Sequence, residues 1–241
     1  MKIGVFDSGI GGLNVLKELI NQYPKLEYLY YGDTFYLPYG EKSKEELIKL
    51  GVRIIRFFEE NHVDRIVIAC GTCSSLVDEY QKYTKIPIDN VIDPTVEYVK
   101  KYYQKVALLA TPATIKNGIF ERKLKQEGIE VYPLSCPSFV PYLEGLSEQL
   151  DIEKELKSLQ NNEYEAAILG CTHYPLLKEE IEKILSVPTI DMGKVFSEKI
   201  ELKESNASLT VYMSKVTPLL EQNVNKILEK DTPLIEKNLP V

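Results

Sequence analysis

The sequence has little that would tie it to a polyanion or to a membrane. Its 29 lysines and arginines form no basic run and are outnumbered by 36 aspartates and glutamates, for a formal charge of −7. A phosphate-binding stripe needs clustered cations, so nucleic acid is not expected as a partner. No apolar stretch approaches the roughly 20 residues of a membrane-spanning helix. The N-terminus runs straight into Lys2-Ile3-Gly4-Val5-Phe6, without the longer apolar stretch and cleavage site of a secretory signal. Cysteine is scarce: four in a chain too large to need covalent staples. That pattern reads as reduced thiols in the cytoplasm. Tryptophan is absent, which excludes no function, and neither heptads nor low-complexity segments occur.

What is present is an ordinary globular composition, 44% hydrophobic and 27% charged over 241 residues. That length suits one large domain or two small ones. Strand-like runs are expected at 2–7, 27–32, 65–70, 105–110, 129–134, 165–170, 187–191 and 208–213. Several are continuously apolar, such as Ile66-Val67-Ile68-Ala69 and Ala166-Ala167-Ile168-Leu169, as parallel strands covered on both faces are. Helical spacing lies between them, as in Leu47, Leu50, Ile54, Phe57 and Phe58. Strand–helix alternation predicts an α/β fold of mostly parallel, open sheets.

The chain divides into two similar halves. Strand 65–70 runs into Cys70-Gly71-Thr72, and strand 165–170 runs into Cys171-Thr172-His173. Two α/β lobes are expected, the second starting near Asp93-Pro94, with the ligand site between them. The final stretch, Asp231 to Val241, carries two prolines and is expected on the surface.

Ligands of open α/β sheets bind where strands end and loops converge. The polar clusters sit at such ends: Asp7-Ser8-Gly9 with Gly11-Gly12, Gly32-Asp33-Thr34 with Pro38-Tyr39-Gly40, Thr111-Pro112-Ala113-Thr114, and the two Cys-Thr corners. Singly, each has a plainer explanation. Asp7 and Ser8 could cap the helix opening near Gly11. The glycines at 9, 11 and 12 fit neither a dinucleotide fingerprint nor a P-loop. Thr111 suits a helix N-cap with Pro112 in the first turn, and Pro38-Tyr39-Gly40 suits a turn.

A lone cysteine is usually a small buried hydrophobe, and Cys136 is read that way. Two cysteines at matching strand ends are different, because a helix N-terminus favours thiolate over thiol. Their chemistry fits opposed acid and base groups that move a proton from one face of a carbon to the other. Cys70-Gly71-Thr72-Cys73 also spells C-x-x-C, so with Cys171 and His173 a zinc site or a dithiol pair stays open. The C-x-H spacing of the second corner is short for a structural zinc site.

Taken in order, Gly4 to Gly12, Tyr31-Gly32-Asp33-Thr34, Pro38-Tyr39-Gly40, Ala69 to Thr72, Ala110 to Thr114, Phe139-Val140-Pro141 through Glu144, and Gly170 to Pro175 resemble the glutamate racemases. These belong to a wider aspartate/glutamate racemase superfamily. The resemblance runs to about residue 192. It implies racemisation of glutamate between two cysteines without cofactor or metal, feeding peptidoglycan synthesis, in a protein that is commonly a homodimer. Aspartate is the competing substrate. It further implies that Cys70 serves the D-enantiomer with Asp7, and Cys171 the L-enantiomer with Glu144 and His173. Substrate would be held by Asp7, Ser8, Pro38, Tyr39, Gly40, Gly71, Thr72, Thr111, Thr114, Thr172 and His173. It also implies that the last strand and helix, about 208–230, return to the first lobe. Two positions depart from the family pattern: Gly71, where Asn is usual, and Cys73, where a small residue such as Ala is usual.

Overall fold

A computed structural model describes residues 1–160, 162–203 and 206–240. The chain folds into two sheets of parallel strands flanked by helices, an α/β architecture of two lobes. Its strands are β1 (Lys2–Asp7), β2 (Glu27–Gly32), β3 (Arg65–Ile68), β4 (Ile88–Asn90), β5 (Lys105–Ala110), β6 (Glu130–Ser135), β7 (Ala166–Leu169), β8 (Thr189–Asp191), β9 (Ser208–Met213) and β10 (Leu234–Glu236). The first sheet has the order β10-β9-β2-β1-β3-β4 and the second β6-β5-β7-β8. Every pairing is parallel.

Alternation along each strand sends neighbouring side chains to opposite faces. Ile3 and Val5 of β1 join a core that continues through Leu13, Leu16, Val96, Val99, Val195 and Phe196 to Val106 and Leu108 of β5. The helices Gly12–Gln22, Ile92–Tyr102 and Met192–Lys199 therefore lie between the two sheets. Phe6 faces the other way, onto Phe57 and Phe58 of helix Lys44–Glu60. The far face of the second sheet packs on Phe139, Tyr174 and Ile181. Local signals set the helix ends. Ser43 and Glu46 form a reciprocal capping box for helix Lys44–Glu60. Thr111 accepts from Thr114 N at the start of helix Pro112–Asn117, with Pro112 in the first turn and left-handed Gly118 closing it.

Strands β4 and β10, three residues each, were not anticipated, whereas the equally short edge strand β8 falls within the expected run 187–191. The C-terminal stretch is mostly exposed, as expected, but it is anchored: β10 pairs with β9, and Leu239 is buried with its carbonyl accepting from Arg53 Nη1 at 2.6 Å. Val241 lies outside the described residues. Asp93-Pro94 sits in the first turn of helix Ile92–Tyr102, which leads from β4 of the first sheet to β5 of the second.

Both sheets reverse their strand order at one place. In the first, β1 has β2 on one side and β3 on the other; in the second, β5 has β6 on one side and β7 on the other. Crevices open at the carboxyl ends of strands at such switch points. Asp7 ends β1, Cys70 follows β3, Thr111 follows β5 and Cys171 follows β7.

Candidate active site

Cys70 caps the single helical turn Gly71–Ser74, and Ser74 N donates to the Cys70 carbonyl at 2.8 Å. Its sulfur lies 3.8 Å from Ser8 Oγ, and Cys73 follows three residues on in the same buried turn. Hydrogen bonding from Cys73, opposed by burial, sets a net lowering of the Cys70 pKa below the usual thiol range. Cys171 is built differently. Instead of a helix it enters an irregular turn and the short 3₁₀ segment Tyr174–Leu177. Its sulfur is 3.7 Å from His173 Nδ1, and His173 Nε2 is 2.6 Å from Glu144 Oε1. Burial pushes the Cys171 thiol up, with His173 pulling partly against it. Burial also disfavours a charged His173, but Cys171 and Glu144 outweigh it and raise its pKa well above the ordinary imidazole range. The two thiols are 4% and 6% exposed, so both work in low dielectric and their partners count for more than they would in water.

The groups between the cysteines cross from lobe to lobe. Thr72 Oγ1 of the first lobe lies 2.9 Å from Thr111 Oγ1 of the second, which lies 3.0 Å from Thr114 Oγ1. This trio of buried hydroxyls at two short-helix starts is a donor set suited to a carboxylate. Asp7 accepts from Gly9 N at 2.9 Å and from Thr172 Oγ1 at 3.0 Å, reaching toward the second corner while also lying close enough to Cys70 to act on its charge. Burial raises the Asp7 pKa, with His173 acting in the opposite sense. Asp7 and Ser8 are not side-chain caps: Gly11 holds the N-cap of helix Gly12–Gln22 without a side-chain bond.

The glycine-rich loop after β1 serves close approach. A Cβ on Gly11 would lie 2.4 Å from His173 Nδ1 and 2.6 Å from Thr172 Oγ1. Ile10 N donates to Glu144 Oε1 at 3.0 Å, so this loop holds the carboxylate that faces His173. Gly71 is equally confined, with a hypothetical Cβ 2.5 Å from the Gly170 carbonyl of the other lobe.

The segment 38–40 meets the site by its backbone edge. Pro38 follows a cis bond and is half-buried, and Gly40 packs on Thr111. Tyr39 is buried, but its hydroxyl donates to Asp33, which also pairs with Arg53. Sequence reading missed Asn14, whose amide donates to the Thr172 carbonyl at 2.9 Å, and Tyr30, whose hydroxyl donates to the Gly9 carbonyl at 2.7 Å. Their signal was polarity inside an apolar pattern: an amide among Leu13, Val15 and Leu16, and a hydroxyl within a buried strand. It also gave no role to the Asp33–Arg53 pair. For the zinc alternative, no group of three or more His, Cys, Asp or Glu among the described residues is disposed to hold a metal ion. All four cysteines are free thiols, and burial drives Cys136 far above the thiol range.

A family model for Asp/Glu/hydantoin racemases matches residues 25–199. Glutamate racemase of Aquifex pyrophilus is 37% identical over 97% of this chain and 96% of its own length. The chain belongs to the Asp/Glu/hydantoin racemase family. As a member it is an amino-acid racemase, an isomerase. The fold of this racemase matches the crystal structure of the Francisella tularensis glutamate racemase in complex with D-glutamate, with TM-score 0.88, 32% identity and coverage of 98% and 97% of the two chains. The solved Aquifex pyrophilus enzyme aligns with TM-score 0.86 over 97% of each chain. The aspartate racemase of Picrophilus torridus, at 24% identity and TM-score 0.62, shares the fold.

Proposed function

We propose that this racemase interconverts L- and D-glutamate by a two-thiol proton transfer that needs no cofactor. The observation that carries the reading is the pair of buried cysteines at the two switch points, one on each lobe, with polar partners of its own. Racemisation removes the Cα proton from one face and returns a proton to the other. A single base does this poorly; two groups on opposite faces do it directly, one as thiolate and one as thiol, exchanging states at each turnover. Hydrogen bonding lowers the Cys70 pKa and burial raises that of Cys171, so the two thiols differ in proton affinity.

Cα–H is a very weak acid, so the site must also hold the substrate carboxylates and stabilise the carbanion. Thr72, Thr111 and Thr114 supply hydroxyls, and Ser8, Gly71 and Thr172 stand beside the thiols. His173, braced by Glu144, would keep Cys171 supplied with a proton or accept one from it, while Asp7 and Thr172 link the two corners. The product would supply peptidoglycan synthesis in the cytoplasm, from an enzyme acting as a homodimer.

The test is solvent deuterium incorporation at Cα, with L- and D-glutamate and L- and D-aspartate offered separately and no cofactor added. Exchange into both glutamate enantiomers, exceeding that into aspartate, is expected. Exchange into aspartate alone would transfer the activity to that substrate, and exchange into neither would end the two-thiol reading.

A further inference from the structure

The backbone after Cys171 is a run of tight-turn hydrogen bonds with one gap. Tyr174 N donates to the Cys171 carbonyl at 3.1 Å and Leu176 N to the His173 carbonyl at 3.1 Å, both i+3 bonds of the 3₁₀ kind. In the same pattern the carbonyl between them, that of Thr172, would pair with position 175. Pro175 has no N–H to give. Thr172 is buried, so its carbonyl needs a partner from elsewhere in the protein.

That partner comes from the other lobe. Asn14, in the first turn of helix Gly12–Gln22, donates through Nδ2 to the Thr172 carbonyl at 2.9 Å and to the Gly11 carbonyl at 3.1 Å. Both partners only accept, which turns the NH2 rather than the amide oxygen toward them. An asparagine in a first helical turn commonly bonds its own neighbours. Here its second hydrogen spans 158 residues of sequence. Thr172 is thereby held twice by the first lobe, its hydroxyl by Asp7 and its carbonyl by Asn14. The carbonyl belongs to the peptide joining Thr172 to His173, so holding it fixes where the imidazole begins. Gly11 leaves room for that ring, whose Nδ1 stands 3.7 Å from the Cys171 sulfur. We propose that Asn14 is a positioning residue of the reaction, clamping the Thr172–His173 peptide from the opposite lobe and so keeping the imidazole on the Cys171 sulfur. Ionisable side chains acting on Cys171 are His173, Cys70 across the cleft, Cys136 after β6, and Tyr174; among them His173 pulls the thiol down against burial. Without the clamp the orphaned carbonyl turns toward another donor, the ring moves with it, and that pull weakens.

This rests on the two-thiol reading above, and its test does not need turnover. The full-length protein is alkylated with iodoacetamide across a pH series, and Cys70 and Cys171 are followed separately by peptide mass spectrometry. Asn14→Leu keeps the size of the side chain and removes its donors. It is expected to move the Cys171 profile up by about one pH unit, about 10-fold slower below the midpoint, and to leave the Cys70 profile in place. Asn14→Gln keeps the NH2 and has room for its longer stem, since residue 14 borders a cavity of about 340 Å³. It is expected to restore most of the shift. An unmoved Cys171 profile, an equal movement of both cysteines, or the same shift in Asn14→Gln as in Asn14→Leu would overturn the proposal. If Asn14→Leu loses its cooperative thermal melt, Asn14→Ala, a better helix former, carries the same test. Deuterium exchange in the wild type separately decides the two-thiol reading.

Discussion

Cys70 follows β3 as the cap of a helical turn, with uncharged neighbours Ser8 and Cys73, whereas Cys171 follows β7 into an irregular turn backed by the ionisable pair His173 and Glu144. Topology gives the two sulfurs equivalent places at the reversal points of their sheets. Their immediate surroundings then divide them, lowering the pKa of Cys70 and raising that of Cys171. The difference comes from the neighbours of each sulfur and not from its place in the sheet.

The comparison breaks most completely by removing either sulfur. Cys70→Ser and Cys171→Ser should each lower racemisation by about 10³- to 10⁴-fold, since a hydroxyl is far too weak an acid to share the proton. Circular dichroism of the reaction with each enantiomer measures it, and a variant with full activity would remove its cysteine from the chemistry.

A change at His173 should sharpen it. His173→Gln keeps a donor to Glu144 but removes the group that holds Cys171 down against burial. Cys171 then rises further, so the acid limb of kcat/KM for the enantiomer it deprotonates should move to higher pH. A loss of about 100-fold at neutral pH is expected in that direction, with the opposite direction affected less. Equal loss in both directions, with no pH movement, would place His173 in a purely structural role.

The smallest effect tests the packing between the corners. Gly71→Ala would bring a Cβ to 2.5 Å from the Gly170 carbonyl, a backbone atom of the opposite lobe that cannot swing away. Destabilisation of about 1–3 kcal/mol is expected from such overpacking, seen as a lower Tm with a raised KM. An unchanged Tm and KM would mean that the lobes have slack at this contact.

Much of this molecule was readable along the chain. The long strands announced themselves because parallel strands buried on both faces are continuously apolar, as in Ile66 to Ala69 and Ala166 to Leu169. The polar clusters marked strand ends for the same reason, since apolar runs stop where the crevice begins. Strands β4 and β10 were passed over, while the equally short β8 was caught within the run 187–191. Asn14 and Tyr30 were passed over because each makes its contact with a residue distant in sequence, Thr172 or Gly9.

The sequence by itself determined the strand–helix alternation, the repeated Cys-Thr corner and the family, all of which are local or ordered patterns. Only the tertiary structure decided that Glu144 faces His173, that Thr72 meets Thr111 across the lobes, and that Ser8 lies against the Cys70 sulfur. The physical reason is that a charge state depends on distance and burial rather than on residue type. Two cysteines that read alike in sequence acquire different proton affinities only when the fold surrounds them with different neighbours.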